Sequence, residues 1–267
     1  MDTFEESYAK DAIRSLLLDG AETLNRSGLT YLGLPGGRAL DIIKLDGILK
    51  NVICVDDKES VLDEARRAIS NLRLKQRKFV PGRLWEYLRD KYPNEELVAD
   101  IAFLDFLGGG IVEQDPFAQE IAGLRSYFAK HARQKNRAFV LAWTYMPHDK
   151  GPSVYTNTLK KIVASEDIQL LQGAKGVQLR SLAIRLLLRQ SLREHDMDVK
   201  LFHHALYKRV MNTIIIIYSK GRDHNLNHVL ESPDSLLTEP CCVYAEGQPV
   251  PKLVPVLELS KLDKSHA

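Results

Sequence analysis

Between Leu29 and Thr144 short apolar runs alternate with stretches of helical periodicity, and this alternation restricts the fold more than any other feature of the chain. The runs Leu29–Leu34, Asn51–Val55, Lys78–Val80, Ile101–Asp105 and Ala138–Thr144 predict five strands, with helices between them at Ala39–Leu45, Ser60–Leu74, Leu84–Lys91 and Pro116–His131. Parallel neighbours in a sheet need crossover connections, and helices supply them. The segment therefore predicts an α/β fold built on a doubly wound, mostly parallel sheet. Ahead of it, Phe4, Tyr8, Ile13, Leu16, Leu17, Ala21 and Leu24 recur on roughly one face of a 3.6-residue period, and Gly28 follows as a stop. Residues 1–28 are thus expected to form a leading helix.

Beyond Thr144 the rhythm changes. Tyr145–Pro152 reads as a loop, and helical stretches at Val154–Ala164 and Val177–His195 form an insertion over about residues 150–196. Two β-like runs follow, Lys200–Leu206 and Asn212–Ser219, and the short link Tyr207–Met211 forces them to be antiparallel. The expectation is a seven-stranded sheet in a domain over 29–220, five strands parallel and the last two a closing antiparallel hairpin. Pro233, Pro240, Pro249, Pro251 and Pro255 mark residues 221–267 as an irregular C-terminal extension, with room for a short strand at Cys242–Ala245.

Composition excludes several classes. Lys and Arg number 37 against 35 Asp and Glu, a net charge of +2, so a nucleic-acid partner would have to be held by local patches rather than bulk charge. Cys54, Cys241 and Cys242 show neither C-x-x-C spacing nor an even count, which argues for a reducing, cytoplasmic setting and against a structural zinc. The longest purely aliphatic run, Ile214–Ile217, is far too short for a membrane span, and Met1–Tyr8 is acidic and polar, unlike a signal region.

The chemistry is expected at Tyr31-Leu32-Gly33-Leu34-Pro35-Gly36-Gly37-Arg38-Ala39-Leu40-Asp41, an apolar strand entering a Gly-rich turn and then a helix. Glycine permits close backbone approach of a ligand, although a tight turn without a ligand has the same pattern, and the spacing is not G-x-G-x-x-G. The next strand ends in Asp56-Asp57, about 20 residues on, where doubly wound folds place an acid on a ribose hydroxyl pair. Either aspartate could equally cap the helix that follows.

The order of elements resembles the class I S-adenosylmethionine-dependent methyltransferase fold. The matching features are Gly33, Pro35, Gly36 and Gly37 after the first strand, Asp56 with Asp57 at the end of the second, Pro81-Gly82-Arg83-Leu84 after the third, Asp105-Phe106-Leu107-Gly108 after the fourth, and the Lys200–Ser219 pair. The resemblance implies S-adenosylmethionine as cofactor, held by Gly33, Pro35, Gly36, Gly37, Asp56, Asp57, Gly82 and Arg83, with Asp105 as the catalytic candidate beside the acceptor. Asp105 could instead cap its loop, and Gly108–Gly110 could be a lid or a plain loop. Two features depart from the family. Arg83 stands where many members carry an adenine-contacting acid, and Asp105-Phe106-Leu107-Gly108 differs from the Asn/Asp-Pro-Pro-Tyr tetrapeptide of amino-group methyltransferases.

A second candidate is electrostatic. Arg185, Arg189 and Arg193 fall at i, i+4 and i+8 on one helical stripe that would suit a nucleic-acid backbone or simply face solvent, and Arg66, Arg67, Arg73, Lys75, Arg77 and Lys78 form another basic cluster. His203 and His204 should point to opposite sides of a strand, and neither they nor His195, His224 and His228 predict a metal site. Two functions are therefore expected to compete: a methyltransferase acting on an unidentified acceptor, nucleic acid among the candidates, and an inactive module of the same fold that binds nucleic acid, a nucleotide or a protein partner. A nicotinamide dehydrogenase is disfavoured by the glycine spacing and the terminal hairpin.

Overall fold

A computed structural model describes residues 8–106, 116–134, 137–145, 157, 159–207, 211–219, 232–244 and 250–261. Helix α1 (Tyr8–Thr23) leads into β1 (Leu29–Gly33), α2 (Leu40–Lys44), β2 (Leu49–Asp56), α3 (Glu59–Ala68) and β3 (Gln76–Pro81). A short α4 (Leu84–Glu86) runs on through a π-helical turn to Lys91, and β4 (Ile101–Phe106), α5 (Pro116–Ala132) and β5 (Phe139–Tyr145) follow. Then come α6 (Ser165–Gln169), α7 (Gly176–Glu194), β6 (Asp198–Tyr207), β7 (Met211–Ser219), β8 (Cys241–Tyr244) and β9 (Lys252–Val254).

The nine strands among the described residues join one sheet in the order β3-β2-β1-β4-β5-β7-β6-β8-β9. The first five are parallel, as the helix-linked pattern predicts. Successive residues point to opposite faces, so Tyr31, Val52 and Phe103 pack with α1, α2 and α3 on one side, while Leu32, Ile53 and Leu104 pack with α4, α5 and α7 on the other. A buried ion pair from Arg14 Nε to Asp41 Oδ1, 2.7 Å, ties α1 to α2 just beyond the glycine-rich turn.

The strand count and the edge differ from expectation. β7 lies inside the sheet against β5, antiparallel, and β6 pairs antiparallel with β7, but this pair does not close the sheet. β8 adds to β6 in parallel and β9 adds antiparallel to β8, giving nine strands among the described residues rather than seven. β8 pairs with Ala205–Tyr207 of β6 and so covers that end of the strand's open edge. The four-residue and three-residue strands are too short for a period to register, and Pro240 and Pro251 sit just before them, where no ladder donor is needed. Helix α3 also stops at Ala68, short of the expected Leu74, and a chain reversal through Ile69–Arg73 enters β3. No helix among the described residues is long and apolar enough to cross a membrane. Of the expected helix at Val154–Ala164, only Asn157 and Leu159 are helical among the described residues, and Lys160–Val163 form turns and a bend instead; His224 and His228 lie outside the described residues.

On the α5 side, His131 is fully enclosed, its Nε2 3.2 Å from Tyr92 Oη and its ring 4.0 Å from that of Phe139. Burial, with Arg137, Lys130 and Arg26 nearby, holds its pKa well below 6.5. The unfolded chain takes up this proton at a higher pH than the folded one, so the stability contribution is complete above about pH 6.5 and is lost as pH falls below it. Unfolding free energy is expected to drop by about 1.4 kcal/mol per pH unit more in the wild type than in His131→Gln below that point. Urea melts of both proteins between about pH 7 and pH 5 measure the difference, and parallel slopes would contradict it.

Candidate functional site

The register brings the expected cofactor residues to one edge. Gly33 pairs with Cys54 on one side and Phe103 on the other, so β2 extends beyond it to Asp56 and β4 extends beyond it to Asp105. Asp56 is level with Pro81 at the end of β3, and the Gly82 amide donates to the Asp56 carbonyl at 2.9 Å. The carboxyl ends of β3, β2, β1 and β4 are therefore adjacent, and the strand order reverses direction between β1 and β4. Open α/β sheets bind ligands at such a switch point.

The glycines of the turn have different reasons to be glycine. A side chain on Gly33 would meet the Phe103 carbonyl oxygen at 2.5 Å and Tyr31 Oη at 2.6 Å, so that position is required by the packing of β1 against β4. Gly36 has φ +56°, a left-handed conformation that makes the turn, and its carbonyl accepts from the Ala39 amide at 3.2 Å. A side chain on Gly37 would run into the Glu64 carboxylate, the flexible end of an exposed residue. Pro35 is buried. Helix α2 is only five residues long, so backbone rather than helix dipole dominates this turn.

The two aspartates separate by environment. Asp56 is buried, its Oδ1 accepts from the Lys58 amide at 2.9 Å, and burial pushes its pKa up. Asp57 is exposed. Asp56 thus ties down the entry to α3 with one oxygen. Arg83 is exposed, immediately precedes α4, and its guanidinium lies 5.9 Å from the ring centre of Trp85. Arg89 approaches the same ring at 5.3 Å. Trp85 was legible as Arg83-Leu84-Trp85, a cation and an aromatic two apart, but that spacing alone does not signal a site. The backbone of Asp105 is at the carboxyl end of β4, paired with Thr144, and Gly108–Gly110 lie outside the described residues.

The arginine stripe on α7 is a correction. Arg185 is completely buried and Arg189 nearly so, which removes both from any nucleic-acid backbone. Arg185 donates to the carbonyls of Leu236 (2.7 Å) and Glu239 and to Cys241 Sγ at 3.1 Å. Arg189 pairs with Asp167 and Asp234, and the half-exposed Arg193 reaches Asp234 at 2.6 Å. The stripe faces the C-terminal segment because that segment covers it. His204 Nδ1 joins this cluster 3.4 Å from Cys241 Sγ, whereas His203 Nδ1 sits 3.8 Å from Cys242 Sγ.

No protein-family model matches the chain, and no curated protein matches it. The solved structures to which it is similar include methyltransferases. Magnesium protoporphyrin IX methyltransferase from Synechocystis PCC 6803 with bound SAH is 15% identical, with 79% of this chain and 81% of that one covered and a TM-score of 0.43. The N-methyltransferase NodS from Bradyrhizobium japonicum WM9 is 6% identical, with 82% and 100% covered and a TM-score of 0.45. Precorrin-6y C5,15-methyltransferase from Geobacter metallireducens GS-15 is 12% identical, with 79% and 89% covered and a TM-score of 0.39. Likeness at this level carries no substrate or mechanism across, and the site rests on the strand register and the residues at its edge.

Proposed function

We propose that this protein binds S-adenosylmethionine at the carboxyl edge of β1, β2 and β3 and acts as a methyltransferase-like protein. The observation that supports this reading is the juxtaposition of the left-handed Gly36 turn with the Asp56 carboxylate at the switch between β1 and β4. The donor set fits at two points. Asp56 offers an oxygen to ribose hydroxyls, and the Gly33–Gly37 turn brings backbone close to the methionine end. At the adenine end the fit differs from the family pattern, since Arg83 beside Trp85 can stack on a base but cannot accept from its amino group.

Bound there, the cofactor supplies the reactive methyl group, and the chain supplies alignment of the acceptor against it. Asp105, at the end of β4, is the residue proposed to position that acceptor. With Arg185 and Arg189 buried, the α7 stripe no longer argues for nucleic acid as the acceptor. In this reading residues 29–220 are the methyltransferase-like unit, and three buried free cysteines suit a cytoplasmic setting. Arg83 favours a second reading, a module that keeps the fold and has lost methyl transfer.

Asp56→Asn tests the site cleanly. The asparagine oxygen can keep the Lys58 amide, while the amide nitrogen replaces an acceptor with a donor at the sheet edge. Affinity for S-adenosylmethionine is expected to fall about ten- to hundred-fold with the melting temperature unchanged. Calorimetry with S-adenosylmethionine and its demethylated product provides the measurement. Absence of sub-millimolar binding by the wild type would remove the cofactor reading altogether, and binding without turnover would favour the inactive module.

A further inference from the structure

The opposite edge of the sheet carries a second site. Where β1, β2, β3 and β4 begin, a cavity of about 450 Å³ opens between Gly28, Lys50, Lys75, Glu96, Asp100 and Arg137. A neighbouring hollow of about 340 Å³ shares Gly28, Asp100 and Arg137 and adds Arg26. Cavities of this size take small molecules.

Its floor is a built polar cluster. Asp100, only 2% exposed, accepts from the Thr30 amide at 2.9 Å, from Arg26 Nη2 at 2.8 Å and from Arg137 Nε at 2.9 Å. Beside it the buried Asn51 amide donates to Thr30 Oγ1 at 3.1 Å, which fixes the floor between β1 and β2. Both guanidiniums are held at this carboxylate as fixed positive charges. Lys50 and Lys75 add two more on the rim, where the Lys75 amide donates to the Lys50 carbonyl at 2.7 Å. Both lysines are exposed, and neither makes an ion pair among the described residues. Lys50, Lys75 and Arg137 line this cavity against Asp100 and the exposed Glu96, so cations outnumber carboxylates there.

We infer that this amino-edge cavity binds a small phosphate-bearing polyanion. A neutral or apolar ligand would leave the two lysines uncompensated. A single small anion would engage only part of a cation set spread over β2, the start of β3 and the approach to β5. A chain of phosphates can meet the exposed side of the Arg137 guanidinium, which Asp100 holds through Nε and Nη2, and both ammonium groups together. The site is separate from the carboxyl-edge cofactor site and does not depend on the methyltransferase reading.

Inorganic tripolyphosphate is the probe, titrated calorimetrically into the full-length protein at low ionic strength. Binding at one site per chain is expected, weakening as salt rises. The Lys50→Gln/Lys75→Gln double variant should bind at least about tenfold more weakly, with an unchanged melting temperature because both side chains are exposed, and with unchanged affinity for S-adenosylmethionine. An arm with adenosine triphosphate separates the sources of the phosphate: equal affinity points to a free oligophosphate, and tighter binding to a nucleotide. Absence of tripolyphosphate binding, equal affinity in the double variant, or citrate binding as tightly as tripolyphosphate would overturn the assignment.

Discussion

Replacing Arg185 with alanine is expected to destabilise the protein by about 3–5 kcal/mol, the largest effect of any single substitution considered. The guanidinium is buried to 0% exposure and holds together three elements. It binds the carbonyls of Leu236 and Glu239 from the C-terminal segment, His204 Nδ1 on β6 at 3.1 Å and Cys241 Sγ on β8. Alanine would strand both carbonyls, each worth roughly 1–3 kcal/mol when buried without a donor, and would leave a cavity beneath α7. Arg185→Lys should recover part of the loss, since one ammonium can reach the carbonyls but cannot span the whole cluster. Urea unfolding measures the change, and limited proteolysis should show residues 232–261 released first. A loss below about 1 kcal/mol would mean that this segment docks without the arginine.

Gly33→Ala should cost about 2–3 kcal/mol, although a single methyl group is added. The new carbon would sit 2.5 Å from the backbone oxygen of Phe103, which cannot rotate away as a side-chain end could. Either β1 shifts against β4, or the end of β1 peels from the sheet, and the sheet edge beside Asp56 moves in both cases. Ligand affinity would fall together with stability, so this variant does not report on ligand contact. Gly36 behaves differently, because at φ +56° asparagine adopts the same conformation at small cost. Denaturant titration of Gly33→Ala alongside Gly36→Asn should separate packing from turn geometry. Equal stabilities would refute the distinction.

The five parallel strands, the glycine-rich turn and the acid ending β2 were legible in the sequence because each rests on local periodicity. Apolar runs of strand length with helical stretches between them admit few other arrangements, and Tyr31 and Leu32 divide between the two faces by alternation alone. The same rule separates His203 from His204, and each meets a different cysteine. Spacing could not say what lies against a face. Arg185, Arg189 and Arg193 at i, i+4 and i+8 make an exposed cationic stripe or a buried polar seam equally well, and the choice was made by a segment more than 40 residues later whose Asp234 and carbonyls cover the helix. β8 adds to the Ala205–Tyr207 end of β6 and β9 adds to β8, long-range pairings that no window of sequence contains. Which aspartate holds the α3 entry was settled by the Lys58 amide meeting Asp56 Oδ1. The amino-edge cavity is the extreme case: Arg26, Lys50, Lys75, Asp100 and Arg137 are scattered along the chain without a motif, and parallel strands bring them together because all of those strands begin at the same edge.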